Sequence, residues 1–295
     1  MDPSPFRCGA VALIGRPNVG KSTLQNALLG QKISITSRKP QTTRRSLRGV
    51  LTTATAQFIF VDTPGFQTKH RGALNRAMNR SVRSVLEGVD VISVVVEAGR
   101  FGGEDRAVLK LVPPGITLFL IVNKIDAVES SRLPAFLQKI AGETRFDEIV
   151  PVSARRGKGL DELLRSLERY LPEQPAIYSA DDITDKSERF LAAEFIREKL
   201  FRHLGEELPY SADVEIEKFE EVRGVRRIHA SIVVEKEGHK AIVIGAGGAK
   251  LKEIATAARL DMEKLFGGKV YLETWVRVRG GWTDDEAALR RMGYG

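Results

Sequence analysis

Residues 11–23 read Val11-Ala-Leu-Ile14-Gly15-Arg16-Pro17-Asn18-Val19-Gly20-Lys21-Ser22-Thr23. Four apolar residues, Val11 to Ile14, predict a buried strand. The next eight have the spacing G-x-x-x-x-G-K-S, and the chain from Lys21 to Leu29 has helical character. Strand, glycine-bounded loop, Lys-Ser and helix form the setting in which this spacing cradles phosphates. Gly15 and Gly20 tolerate backbone conformations that other residues resist, so successive N–H groups can turn inward. The helix N-terminus adds partial positive charge. Lys21 can reach the β- and γ-phosphates, and the Ser22 hydroxyl can ligate Mg²⁺. Arg16, Pro17, Asn18, Val19 and Thr23 complete this candidate phosphate site.

The pattern continues outward as alternating strands and helices. Val11–Ile14, Phe58–Val61, Val89–Val96, Ile116–Val122 and Ile149–Val152 are apolar runs rich in β-branched residues. Helical stretches lie near 21–29, 72–87, 103–112, 131–141 and 160–170. This alternation predicts a mostly parallel sheet with helices on both faces. Ligands of such a sheet sit at the carboxyl ends of its strands. With 295 residues, 42% of them hydrophobic, the chain has material for two cores. No apolar run approaches the roughly 20 residues of a membrane helix. The opening MDPSPFRCGA has neither the basic nor the apolar region of a signal peptide. One cysteine, Cys8, excludes an internal disulfide and a Cys-cluster metal site; it is expected to pack near the first strand. A cytoplasmic protein is the expectation.

Three further motifs fall at strand ends. Asp62-Thr63-Pro64-Gly65 follows Val61, where a carboxylate can hold Mg²⁺ through water and the Gly65 N–H can approach a γ-phosphate. Asn123-Lys124-Ile125-Asp126 follows Val122 and selects the base. A carboxylate at Asp126 accepts from guanine N1–H and its exocyclic amine, a donor pair that adenine lacks. Asn123 can reach guanine N7 and brace the phosphate loop, and the Lys124 stem can cover the ring. Ser153-Ala154 closes the next strand, with a backbone N–H for guanine O6. Between the first helix and the next strand, Ser34–Arg48 is polar, basic and aperiodic and reads as a mobile loop. A threonine there can complete the Mg²⁺ shell when the γ-phosphate is present. Thr42 and Thr43 both qualify; Thr43, next to Arg44, is preferred.

The second half has a different grammar. Leu171–Pro175 ends the last helix of the first half, and residues 176–186 form a short acidic linker. Residues 187–204 read as an amphipathic helix, with Phe190, Leu191, Phe195, Ile196, Leu200 and Leu204 on one side. Two alternating strands follow, Val214–Phe219 and Ile228–Val234, suited to an antiparallel hairpin. Then comes I-V-I-G-x-x-G-x-x-L-x-x-I from Ile242 to Ile254, a helix beyond it, and a final strand Lys269–Arg279. This order, helix–strand–strand–helix–helix–strand, resembles that of a type II KH domain. Gly245 and Gly248 bracket Ala246 and Gly247 in a link tight enough for RNA backbone to approach. Lys250 and Lys252 would lie near that backbone, and Ile242 and Ile244 would floor a groove for about four unpaired nucleotides. Ala246 and Gly247 stand where many KH loops carry a basic residue, which weakens the grip on phosphate.

Charge supports polyanionic partners without naming one. The net charge is +8. Residues 1–175 hold 26 Lys and Arg against 16 Asp and Glu, and residues 176–295 hold 20 against 22. A nucleic-acid patch in the second half must therefore be local, and residues 240–279 supply one, with eight basic residues against four acidic. His70, His203, His229 and His239 share no metal-ligand spacing, and Trp275 and Trp282 read as core and tail anchors.

Together these motifs resemble the translation-factor-related GTPases. The loop Gln41-Thr42-Thr43-Arg44, with GRPNVGKS and DTPG, is similar to that of the Era family, and the resemblance runs over almost the whole chain. It implies a P-loop G domain over residues 1–175 and a KH domain with a C-terminal tail over 187–295, acting as a monomer. It implies GTP and GDP with Mg²⁺ as ligands, and as partners the 3′ end of 16S ribosomal RNA and the 30S subunit. Where Ras-like GTPases have a catalytic glutamine this chain has Phe66, and Gln67 is one residue too far on, so intrinsic hydrolysis is expected to be slow. Asn18 resembles the position that supports a K⁺ ion in potassium-activated GTPases, or it merely caps the loop. The rival reading is a signalling switch whose main partner is a protein or the membrane surface, in peripheral contact with the inner membrane.

Overall fold

The computed structural model describes residues 5–68, 72–205 and 207–294. His70 lies outside the described residues. The chain divides into two compact units, with the seam between Asp185 and Lys186; Ile35–Thr42 and Gly72–Leu74 group with the second.

The first unit is built on six strands: β1 (Arg7–Ile14), β2 (Leu47–Thr52), β3 (Ala56–Asp62), β4 (Val91–Glu97), β5 (Thr117–Asn123) and β6 (Glu148–Pro151). Their order in the sheet is β2-β3-β1-β4-β5-β6. All pairings are parallel except β2 with β3. Successive residues of a strand face opposite sides, so β1 feeds two cores. Val11 and Leu13 join Phe58, Phe60 and Phe119 under α1 (Lys21–Leu29) and α5 (Leu160–Glu168). Ala12 and Ile14 join Ile92, Val94 and Leu120 under α2 (Ala73–Leu86), α3 (Gly103–Leu109) and α4 (Leu133–Ala141). Burial on both faces is why these strands read as unbroken apolar runs. Cys8 is buried, and burial pushes its thiol up, as a packing residue requires.

Two details depart from expectation. The stretch Ser34–Arg48 is not loop throughout: Leu47 and Arg48 begin β2, in which Leu47, Gly49 and Val50 are buried and Arg48 is exposed. The 176–186 stretch is irregular but tied to the sheet edge. Gln57 Oε1 accepts from the Ile177 and Tyr178 amides at 2.8 and 2.9 Å, and the Val50 amide donates to Ile183 O at 2.9 Å. It occupies an edge that would otherwise offer unpaired backbone groups.

The second unit has a three-stranded sheet of β7 (Ala212–Val222), β8 (Val225–Val234) and β9 (Lys269–Val278), in that order. β7 and β8 are antiparallel through a two-residue turn at Arg223 and Gly224, both at positive φ, which suits the strand twist. β9 runs parallel to β8. The helices are α6 (Glu188–His203), α7 (Glu237–Ile244), α8 (Ala249–Phe266) and α9 (Glu286–Arg291). Ser187 caps α6 by accepting from the Phe190 amide at 3.3 Å. α6 is not amphipathic: it is buried from Leu191 through Phe201, charged residues included. Its charges are paired, Arg197 with Glu194, and Lys199 with Glu198 and Asp261. The tail packs within this unit as expected. Trp282 is 1% exposed, and the Tyr294 hydroxyl donates to Asp213 Oδ2 at 2.9 Å. Among the described residues no helix is long and apolar enough to cross a membrane.

Candidate functional site

The carboxyl ends of β1, β3, β4, β5 and β6 bring the sequence motifs of the first unit together. Gly20 precedes α1 at φ 99°, and a Cβ there would stand 2.4 Å from Asn123 Nδ2. The close approach has a purpose: Asn123 Nδ2 donates to Val19 O at 2.9 Å. Asn123 Oδ1 in turn accepts from the Lys124 and Ala154 amides at 2.8 and 3.1 Å. One buried amide therefore braces the phosphate loop, the 123–126 loop and the 153–154 loop. Of the two N–H groups offered to guanine O6, that of Ala154 donates to Asn123 Oδ1. The Ser153 N–H donates to Lys158 O at 2.9 Å.

Lys21 Nζ donates to Gly15 O and Arg16 O at 3.0 and 3.1 Å, inside the loop it is expected to serve. Burial pushes its ammonium down to about 8; the Asp62 carboxylate opposes the shift and Arg16 reinforces it. The Ser22 hydroxyl donates to Asp62 Oδ2 at 2.6 Å and lies 2.8 Å from Thr43 Oγ1. Thr42 points elsewhere, its hydroxyl 2.9 Å from Lys39 O. Burial pushes the Asp62 carboxyl up to about 6, opposed by Lys21 and by the Ser22 hydroxyl. Asp62 Oδ1 is buried without a hydrogen-bond partner among the described residues. An all-oxygen set of one carboxylate and two hydroxyls, with a carboxylate oxygen left over, fits a hard cation such as Mg²⁺.

The 62–66 turn lies against the phosphate loop. A Cβ on Gly65 would stand 2.7 Å from Pro17 Cα and N, so only glycine fits. The Phe66 amide donates to Gly15 O at 3.2 Å, and its ring is buried with Ala12, Ile14, Val82 and Leu86. Pro64 is buried, and the Thr63 hydroxyl donates to Leu13 O at 2.8 Å. Gln67 Nε2 donates to Asn75 Oδ1 at 2.9 Å, and Gln67 O accepts from Asn79 Nδ2 at 2.8 Å. Neither Phe66 nor Gln67 is arranged to orient a water. Asp126 is exposed, and Ser153 Oγ donates to its Oδ1 at 2.6 Å. That bond is the main cause that holds the Asp126 carboxyl below the usual aspartate range. Asn18 is exposed at φ 64°.

Two side chains of this site carry no motif. Glu97 and Asp105 hold Arg16, and Glu97 also meets Lys124. Burial raises the Glu97 carboxyl, but hydrogen bonds and charge from Lys124 and Arg16 outweigh it and hold it below the usual range. An acid ending an otherwise apolar strand was the available signal.

In the second unit, Gly245 lies at φ 70° between α7 and α8, where a Cβ would meet Lys250 Cβ at 2.7 Å. Gly247 and Gly248 are also at positive φ, and Ala246 is exposed. A groove of about 350 Å³ opens beside this link, lined by Gly248, Leu251, Lys252, Ala255, Arg259, Leu272 and Thr274, among others. Ile242 and Ile244 lie on α7 and do not line it; Ile242 is 56% exposed and Val243 turns inward instead. The lining of this groove comes from Gly248, α8 and β9. Lys250 Nζ is paired with Glu253 Oε2 at 3.0 Å.

The family model described as a 50S ribosome-binding GTPase matches residues 10–124, and the KH domain model matches 207–283. The GTPase Era of Nitrosomonas eutropha is 55% identical over 295 residues, covering 100% of both chains. That of Chromobacterium violaceum is 55% identical over 294 residues, covering 99% of both. Among solved structures, a point variant of Aquifex aeolicus Era bound to GDP·AlF₄⁻ superposes with a TM-score of 0.94 at 37% identity, covering 98% of this chain and 100% of that one. Era in complex with MgGDPNP and nucleotides 1506–1542 of 16S ribosomal RNA gives 0.95 at 37% identity, covering 98% and 99%. More than half of the residues are identical over the full length of both chains, the GTPase model matches the first unit and the KH model the second, and so this chain belongs to the GTPase Era family.

Proposed function

We propose that this chain is a GTP-hydrolysing switch that binds the 3′ end of 16S ribosomal RNA through its KH half and assists rRNA processing and assembly of the 30S subunit. The observation that carries it is the braced base-reading loop: Asn123 ties that loop to the phosphate loop, and Ser153 holds Asp126 ionised. The RNA half is supported by the similar Era protein solved with MgGDPNP and 16S nucleotides.

In this reading Asp126 accepts the two donors of guanine, and the Lys124 stem covers the ring. Lys21 and the N–H groups of residues 15–22 bind the phosphates. Ser22, Asp62 and Thr43 hold Mg²⁺, which when bound spreads the charge of the β- and γ-phosphates. Thr43 and the Gly65 N–H sense the γ-phosphate. Phe66 has no group to orient water and Gln67 is held by α2, so turnover is slow and serves as a timer for release. The protein works in the cytoplasm as a monomer. Asn18 supports a K⁺ ion, and single-turnover hydrolysis is expected to be faster in KCl than in NaCl; equal rates remove the cation from the mechanism.

The test of the RNA half is Gly245→Asp with Gly248→Asp, which puts two carboxylates where phosphate must approach. Filter binding to a 16S 3′-end fragment in the presence of GTP is expected to be lost, with GTP hydrolysis retained. Intact RNA binding would favour a second reading, for which the surplus positive charge of residues 1–175 speaks: a signalling switch docking a protein or the cytoplasmic membrane face.

A further inference from the structure

The end of β4 holds a carboxylate that no motif accounts for. Glu97 is the last residue of β4 and lies beside Asn123 in the β4–β5 register. Its Oε2 accepts from Lys124 Nζ at 3.1 Å and from Arg16 Nη2 at 3.2 Å. Arg16, the residue after Gly15, is 5% exposed, and its Nε donates to Asp105 Oδ1 at 3.1 Å. Asp105 is itself fixed, because its Oδ2 accepts from the Gly102 amide at 2.9 Å at the start of α3. One oxygen of Glu97 thus joins the phosphate loop to the base-reading loop, and Asp105 anchors the joint to a third element.

Stability alone does not explain the Lys124 arm. The side chains of Lys124 and Glu97 are 35% and 26% exposed, and ion pairs that wet contribute little to folding. What the arm does is fix a direction. Lys124 sits at φ 63°, a left-handed conformation uncommon outside glycine, two residues before Asp126. A lysine that leaves this backbone untethered samples many rotamers and loses them when it lies on a ligand. With Nζ held by Glu97, the apolar stem is laid down in advance.

We propose that Glu97 is a positioning residue for guanine-nucleotide binding, which preorders the Lys124 stem and, through Arg16, locks the base-reading loop to the phosphate loop. The proposal rests on the base-reading role given to Asn123–Asp126. Glu97→Gln in the full chain is expected to weaken GDP binding by about tenfold, the size of one lost charge-assisted hydrogen bond. KM for GTP rises by a similar factor, while kcat at saturating GTP is kept. Lys124→Met leaves Arg16 both of its carboxylates and tests the tether without disturbing the phosphate loop; it is expected to weaken GDP to a similar extent. Titration calorimetry on both single variants and the double variant closes a cycle. A double variant no weaker than either single one supports the tether. Multiplying losses, or full GDP affinity in Lys124→Met, overturn it. If Glu97→Gln fails to fold, the Lys124→Met affinity alone decides. The base-reading role stands apart: preference of the unsubstituted protein for GDP over ADP sustains it whichever way the cycle falls.

Discussion

Asp126 shows how far one side chain can set chemistry. As a carboxylate it matches two donors; as an amide it would turn a donor toward them. Asp126→Asn is therefore expected to exchange guanine for xanthine, whose C2 carbonyl accepts. Two hydrogen bonds to a charged group are at stake, so GDP affinity should fall by about a hundredfold or more, and competition between GDP and XDP measures the switch. Unchanged guanine selectivity would sink the assignment. The same carboxyl carries a pH prediction. Ser153 holds it below the ordinary aspartate value, and only the ionised form accepts both bonds. The preference for GDP over ADP, a ratio in which the titrations of Lys21 near 8 and Asp62 near 6 cancel, should therefore stay level down to about pH 5, above the ordinary aspartate value of about 3.9. In Ser153→Ala the carboxyl returns upward and the preference is lost from a higher pH as acid is added; coincident pH profiles of the preference for the two proteins would contradict this.

At the scale of elements, what could be read depended on how each one is buried. β1, β3, β4 and β5 are covered on both faces, so their sequences are unbroken apolar runs and their ends place the motifs within a residue or two. β2 is an antiparallel edge strand, LRGVLT, with half its residues wet, and its pattern merges with the basic loop before it. Thr42 and Thr43 could not be separated by type alone; only the fold turns Thr43 to Ser22 and Thr42 to Lys39. The α8–β9 groove was missed because its lining is split between residues 248–259 and 272–274. α6 misled for another reason: its buried charges look like a solvent face until their partners are known. The Arg197 guanidinium is fully buried against Glu194, with Asp213 at 3.9 Å. Arg197→Met removes the cation and leaves the carboxylates buried, a change that costs about 3–5 kcal/mol. Lys199→Met should cost less, since of its two partners Asp261 is 29% exposed and the buried Glu198 keeps Arg202 Nη2 at 3.0 Å. Urea unfolding of both variants tests the order; an Arg197→Met protein as stable as the parent would mean that the buried pair contributes nothing.

For the whole molecule, the distribution of charge decides how RNA can be held. The net charge of +8 comes from residues 1–175, while the half that carries the KH fold has 20 basic residues against 22 acidic. RNA binding by that half cannot lean on a broad field; it must use the few cations beside the glycine link. These are not equivalent. Lys250 is already paired with Glu253, and Arg259 donates to Glu263 Oε1 at 2.8 Å. Lys252 is exposed at the groove and makes no ion pair among the described residues. Each phosphate neutralised on a single strand contributes about 0.7 to the slope of log Kobs against log salt. Lys252→Ala should remove about that much slope, whereas Lys250→Ala removes less, because its charge is partly cancelled before RNA arrives. Binding of a 16S 3′-end fragment titrated across KCl concentrations distinguishes them. Equal losses of slope would mean that the Lys250–Glu253 pair opens when RNA binds, and no loss from Lys252→Ala would take the phosphate backbone away from this groove.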